Sequence, residues 1–164
     1  MVPMLESATF PGSDMSIDDT LKKARDRAKE MRLPYEGALT PAEAHEVLSQ
    51  APDAKIVDVR TRAELDWVGR IPGAVEVELL TWPGSRPNPD FVQQLEQQVD
   101  DKDAPVLFIC RSGGRSHNAA MLAMQAGYTD TYNVLEGFEG DKDGEGHRNT
   151  LGGWRAAGLP WTQS

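Results

Sequence analysis

Four consecutive apolar residues, Val106-Leu107-Phe108-Ile109, run directly into Cys110-Arg111-Ser112-Gly113-Gly114-Arg115-Ser116, and an alanine-rich helical stretch from Asn118 to Ala126 follows. A strand, a tight glycine turn and a helix start therefore converge on one thiol. Backbone N–H groups in such a turn and at a helix N-terminus lack intrahelical partners and point toward an anion. Arg111 and Arg115 add full positive charge. Both effects favour the thiolate, the nucleophilic form of cysteine. Burial in the core is the ordinary fate of a lone thiol, but a core cysteine seldom sits in a Gly-Gly turn between arginines.

The rest of the chain narrows the class. Its 164 residues suit one domain with a sizeable core and a short extension. Cys110 is the single cysteine, which excludes an internal disulfide framework and a multi-cysteine metal cluster and agrees with a reducing compartment. A net charge of -9 argues against nucleic acid as a partner. The first residues lack the basic-then-apolar order of a secretory signal, and no apolar run approaches membrane-spanning length. The expectation is a cytoplasmic protein with no membrane partner.

Residues 1–36 read as an N-terminal extension. Met1 to Ser16 is turn-rich, with Pro3, Pro11 and Gly12, and Ile17 to Arg32 is highly charged. Leu21, Ala24, Ala28 and Met31 recur there at helical spacing, which predicts a helix that Pro34 ends. From Thr40 the punctuation is regular. Thr40-Pro41-Ala42-Glu43 orders a capping threonine, an N1 proline and an N3 glutamate, so a helix runs to about Ser49. Lys55 to Val59 is a short buried strand, and Thr61-Arg62-Ala63-Glu64 is a second capping box. Gly69-Arg70-Ile71-Pro72-Gly73-Ala74 turns into a strand over Val75 to Val77, and Asn88-Pro89 starts a helix through Gln98. Gly127 stands where a C′ glycine belongs, and Tyr132-Asn133-Val134 makes a further strand. This alternation indicates an α/β domain with a mainly parallel central sheet flanked by helices. Ligands of such sheets bind beyond the carboxyl ends of the strands, where Cys110 stands.

Other features carry less chemistry. Asp141-Lys142-Asp143-Gly144-Glu145-Gly146 imitates the start of a calcium loop, but position twelve is Gly152, so an EF-hand is rejected. His45, His117 and His147 share no ligand spacing, and no metal or cofactor is expected. Trp82, Trp154 and Trp161 are expected to pack, and His117 to lie exposed on the first turn of its helix.

Taken together, Asp58-Val59-Arg60, Glu64, the Gly69 to Ala74 turn, the Cys110 to Ser116 loop and Leu135-Glu136-Gly137-Phe138 resemble a single-domain rhodanese over roughly Leu39 to Trp161. The resemblance implies a rhodanese-like fold over residues 37–164 and a sulfurtransferase. Cys110 would take sulfane sulfur from a small anionic donor such as thiosulfate. It would pass that sulfur from a persulfide to cyanide or a thiol, protein thiols included. The family often has His where Arg70 stands. Many relatives follow the fourth strand with a compact Glu-Gly-Gly segment, whereas this chain inserts Glu139 to Gly153, as a bacterial subgroup does.

Each loop residue then has an expected task. Arg111 and Arg115 bind sulfonate oxygens through forked hydrogen bonds. N–H groups from Arg111 through Ser116 cradle the persulfide, and Gly113 and Gly114 permit the turns. Ser112 and Ser116 offer hydroxyls, Ser116 alternatively serving only as a helix N-cap. Asp58, Arg60 and Glu64 support the site, with Arg60 pairing Glu64 across a helix start. Two rivals stand beside this expectation. One is a cysteine phosphatase or arsenate reductase, but protein-phosphatase loops of related fold hold one more residue between cysteine and arginine, and many cysteine phosphatases have His where Ile109 stands. A non-catalytic module that carries sulfur or docks a partner is the other, yet inactive members tend to lose the cysteine that this chain keeps.

Overall fold

Ser16 caps the first helix, its Oγ accepting the Asp19 N–H at 3.1 Å, so α1 (Ile17–Met31) begins where the charged stretch does. The computed structural model describes residues 16–163, and the turn-rich stretch before Ser16 lies outside them. Leu21, Ala24 and Ala28 form the buried stripe of α1, and Arg32 ends the helix in the left-handed conformation. The helix lies against β1 (Gly37–Leu39), a strand that the sequence pattern misses. A Cβ at Gly37 would stand 2.6 Å from the Tyr132 ring, so the close approach needs glycine there. Arg27 fastens the two elements by donating to Ala38 O at 2.6 Å and to Glu43 at 2.8 Å.

Both threonine capping boxes form as the spacing predicts. Thr40 Oγ1 accepts the Glu43 N–H and Glu43 accepts the Thr40 N–H, opening α2 (Pro41–Gln50). Thr61 and Glu64 do the same at α3 (Arg62–Trp67), after β2 (Lys55–Asp58). Next come β3 (Val75–Glu76) and an unexpected two-strand hairpin, β4 (Leu80–Thr81) with β5 (Arg86–Pro87). The helix expected from Asn88-Pro89 is α4 (Phe91–Gln98), displaced because Asn88 Oδ1 accepts the Asp90 N–H in a turn. β6 (Val106–Ile109), α5 (Gly114–Gln125) and β7 (Thr131–Val134) complete the order.

Five strands pair in the order β1-β7-β6-β2-β3, and every ladder is parallel. The sheet is buried on both faces, which is why β6 is apolar at all four positions. Side chains alternate along it. Leu107 and Ile109 enter the core shared with Leu39, Val47, Ile56 and Trp154. Val106, Phe108 and Cys110 enter the opposite core with Leu95, Ala119, Ala120 and Ala123 of α4 and α5. Strand parity therefore aims Cys110 at the α4/α5 side, at the carboxyl end of a central strand.

Candidate functional site

Cys110 is almost fully buried, with 1% of its surface exposed. Its Sγ accepts the Gly113 N–H at 3.1 Å and lies 3.3 Å from Ser116 Oγ. Gly113 is the N-cap of α5 and takes φ +113°, a value open to glycine. That conformation turns the chain from the loop into α5. The helix starts four residues earlier than the apolar pattern predicts, so Gly114, Arg115 and Ser116 form its first turn. Their N–H groups have no backbone partner among the described residues, as at any helix start.

Ser116 is not an N-cap, which corrects one alternative. It is fully buried inside α5 and donates to Asn133 Oδ1 at 2.6 Å. Asn133, on β7, donates to Gly113 O at 3.3 Å and to Tyr35 Oη at 3.2 Å. Tyr35 Oη lies 2.8 Å from His117 Nδ1. The expectation of an exposed His117 therefore fails; the ring is half-buried and meets Tyr35 edge-on at a centroid distance of 5.1 Å. Burial pushes the Tyr35 phenol up, with the Asn133 hydrogen bond opposing. Neither Tyr35 nor Asn133 shows a sequence signal that separates it from ordinary core.

The supporting charges pair differently from the expectation. Arg60 does not reach Glu64. It folds back on Asp58, two residues earlier, with Nε at 2.9 Å and Nη2 at 2.7 Å, and also donates to Gly69 O at 2.8 Å. Both side chains are fully buried, and the guanidinium lies 4.1 Å from the centre of the Phe138 ring. Alternation explains the choice, because Asp58 and Arg60 leave an extended backbone on the same side. Glu64 instead holds Arg115 in a two-pronged pair at 2.6 and 2.8 Å. Burial alone would raise the Glu64 carboxyl. The Arg115 hydrogen bond and charge, with help from Thr61, outweigh burial and hold it at about 2. Arg115 is pushed further up, chiefly by that same hydrogen bond.

Arg111 is exposed, and among the described residues its side chain makes no hydrogen bond or ion pair. It opens onto a cleft of about 530 Å³ whose walls include Glu64, Trp67, Leu80, Trp82 and Arg115. Trp154 is buried as expected, and Trp161 packs against the core, but Trp82 is 67% exposed and does not pack. Ser112 is half-buried and Gly114 exposed.

The Leu135-Glu136-Gly137-Phe138 segment clamps the loop from the other side. Phe138 N–H donates to Cys110 O at 2.8 Å and Glu139 N–H to Arg111 O at 2.9 Å. Gly137, at φ +66°, lies so close that a Cβ would stand 2.6 Å from both carbonyl oxygens. The inserted segment after it is internally bonded. Asp143 accepts from the N–H groups of Glu145 and His147 and from Thr150 Oγ1. No residue from 139 to 153 lines the cleft. Among the described residues no cluster of His, Cys, Asp and Glu could hold a metal ion, and no helix is long and apolar enough to cross a membrane.

Comparison with known proteins agrees with this architecture. The sequence profile of the rhodanese-like domain matches residues 40–143. An uncharacterized protein of Rickettsia conorii, RC0915, is 36% identical over 121 residues, covering 72% of this chain and 90% of that one. The chloroplastic thiosulfate sulfurtransferase 16 of Arabidopsis thaliana is 31% identical over 113 residues, 68% of this chain and 89% of that one. The crystal structure of Rv0390 from M. tuberculosis superposes with a TM-score of 0.72 at 46% identity, covering 79% of this chain and 99% of that one. With its parallel sheet, its thiol at the end of β6 and these relatives, the chain belongs to the family of rhodanese-like domains, whose members include sulfurtransferases.

Proposed function

We propose that the protein is a sulfurtransferase in which Cys110 carries sulfane sulfur from a small anionic donor, thiosulfate being the simplest, to cyanide or a thiol. The observation that carries this reading is the pairing of a hydrogen-bonded thiol with an uncommitted arginine. Cys110 Sγ accepts the Gly113 N–H at 3.1 Å, and the neighbouring Arg111 is exposed on the adjoining cleft. The Cys110 thiolate attacks the outer sulfur of thiosulfate; the S–S bond of the donor breaks and sulfite departs with the electron pair. The acceptor then attacks the outer sulfur of the Cys110 persulfide and regenerates the thiolate. Two half-reactions through one covalent intermediate give ping-pong kinetics. Arg111 offsets the donor's negative charge, and Arg115, held by Glu64, fixes the loop. Asp58 and Arg60 brace β2 and the turn at Gly69 rather than touch substrate. A cytoplasmic protein fits the single reduced cysteine.

Intact mass spectrometry after incubation with thiosulfate tests the proposal. One added sulfur atom on the wild-type chain, removed by cyanide and absent from Cys110→Ser, is the expected result. Serine cannot hold sulfane sulfur, and no second thiol can replace Cys110. Thiosulfate-dependent turnover by the serine variant at a rate near wild type would overturn it.

A further inference from the structure

Two of the four tryptophans are largely exposed, Trp67 at 79% and Trp82 at 67%, and both line the cleft beside the cysteine loop. Such side chains are normally buried for most of their area, and an exposed pair at one cleft gives up that burial. Trp67 is the last residue of α3, and Trp82 follows β4 in the hairpin turn, so separate elements present the two rings. Ala63, Val68 and Leu80 complete the apolar wall. At about 530 Å³ the cleft falls in the range of about 300–1,000 Å³ that organic ligands occupy, and an inorganic anion fills only a small part of it. Its charge is also specific. Glu64 and Arg115 neutralise each other, which leaves Arg111 as the uncompensated charge among the lining residues. On a chain of net charge -9 this is a local site for an anion.

We infer that Trp67 and Trp82 form an acceptor subsite for small organic thiols with a flat apolar body and a carboxylate, the body lying on the indoles and the carboxylate meeting Arg111. The inference rests on the sulfur-transfer reading of Cys110 and names the class of acceptor. The bound thiolate attacks the outer sulfur of the loaded cysteine. The bond between the two sulfurs of Cys110–S–SH breaks and its electron pair stays on Cys110 Sγ. The product R–S–SH carries away the transferred sulfur and its proton. Sulfur is passed on with no external oxidant or reductant.

Two measurements test the subsite. In the first, thiosulfate is the donor and 4-mercaptophenylacetate and cyanide are compared as acceptors for wild type, Trp67→Ala and Trp82→Ala. Wild type is expected to saturate with the aryl thiol, and each substitution to lower the thiol-to-cyanide ratio of kcat/KM about tenfold, mostly through KM. A ratio that stays within twofold in both variants overturns the inference. So does saturation by a protein thiol alone, since the cleft would then dock a macromolecule. In the second, the S-methyl derivative of the same acid is titrated into Cys110→Ser while the indole N–H resonances are followed by NMR. Saturable shifts of Trp67 and Trp82, abolished by Arg111→Ala, are expected; no shift refutes the subsite. Because this binding involves no sulfur transfer, it decides the inference even if wild type fails to load sulfur, a failure that would count against the reading of Cys110 alone.

Discussion

Glu64 and Arg115, 51 residues apart in the chain, face each other through two parallel hydrogen bonds of 2.6 and 2.8 Å. The pair ties the first turn of α3 to the first turn of α5, and so ties the cleft wall to the thiol loop. Each side chain is about one-fifth exposed, so neither charge is free of solvent nor fully buried. Removing one partner leaves the other charge uncompensated. Arg115→Ala and Glu64→Ala are each expected to destabilise by roughly 1–3 kcal/mol, with the double variant losing less than their sum. Arg115→Ala is further expected to slow loading from thiosulfate by about 10- to 1,000-fold, and loading from an uncharged donor less. Chemical denaturation and single-turnover loading read both effects, and strict additivity of the two stability losses would show that the pair contributes no coupling.

The same pair sets an acid limit. The Glu64 carboxyl falls from its ordinary 4.5 to about 2 in the folded chain. A depressed carboxyl stabilises the folded state above the unfolded pKa and loses that contribution as pH falls through the folded value. Stability from this group is therefore complete above about pH 5 and disappears between about 4.5 and 2. After allowance for solvent screening it amounts to roughly 1–2 kcal/mol. Glu64→Gln is expected to flatten the melting-temperature profile across this window, and an unchanged profile would remove Glu64 as the titrating group.

Much of the fold is legible because local signals and tertiary packing agree. The boxes at Thr40 and Thr61 form with their own N3 glutamates, and Val106 to Ile109 is a strand without change of boundary. β1 and the β4–β5 hairpin are not legible, since runs of two or three residues carry no measurable period. The start of α5 is hidden for a different reason. Gly114, Arg115 and Ser116 form no apolar stripe, and a glycine N-cap resembles any other turn glycine. Cys110 and its loop can be found from spacing, but partner choice cannot. Arg60 had a nearer carboxylate in Asp58, while the partner of Arg115 comes from a distant element that only the sheet brings close. Exposure of Trp82 is equally silent, because composition does not say which indole lacks a neighbour.

Gly137 offers a sharp test of the clamp on the loop. Its φ of +66° lies in the left-handed region, and an added Cβ would meet the carbonyl groups of Cys110 and Arg111 at 2.6 Å. Gly137→Ala therefore combines backbone strain with a backbone clash and is expected to cost about 3 kcal/mol or more. Sulfur loading is expected to fall with it, since the Phe138 N–H bond to Cys110 O is lost. Gly144→Ala is the control: nothing lies within 4 Å of its Cβ position, and a change within about 0.5 kcal/mol is expected. Equal melting curves for the two variants would refute the clamp.

Ser116, Asn133, Tyr35 and His117 form one line of hydrogen bonds behind the thiol loop. Asn133 uses its amide oxygen to accept from Ser116 and its nitrogen to donate to Tyr35 Oη. Tyr35 then has its own proton to give, and His117 Nδ1 stands 2.8 Å away to accept it. Donation in that direction places the proton of the neutral imidazole on Nε2, the expected tautomer. The far end of the chain is constrained too. The Ser116 proton is committed to Asn133, so a protonated Cys110 donates to Ser116 Oγ, whereas a thiolate can gain that hydrogen bond only if the hydroxyl turns away from Asn133. Tyr35→Phe removes the link between the two ends and leaves Asn133 and His117 short of a partner, at a cost of about 1–3 kcal/mol. Nitrogen-15 NMR of the ring is expected to show the Nε2–H tautomer in wild type and a mixture of tautomers in Tyr35→Phe. Sulfur loading by the variant is expected to fall several-fold through the rate of the chemical step, with KM for thiosulfate little changed, because Tyr35 lies behind the loop and away from the cleft. An Nδ1–H tautomer in wild type would reverse the direction of donation and break this account.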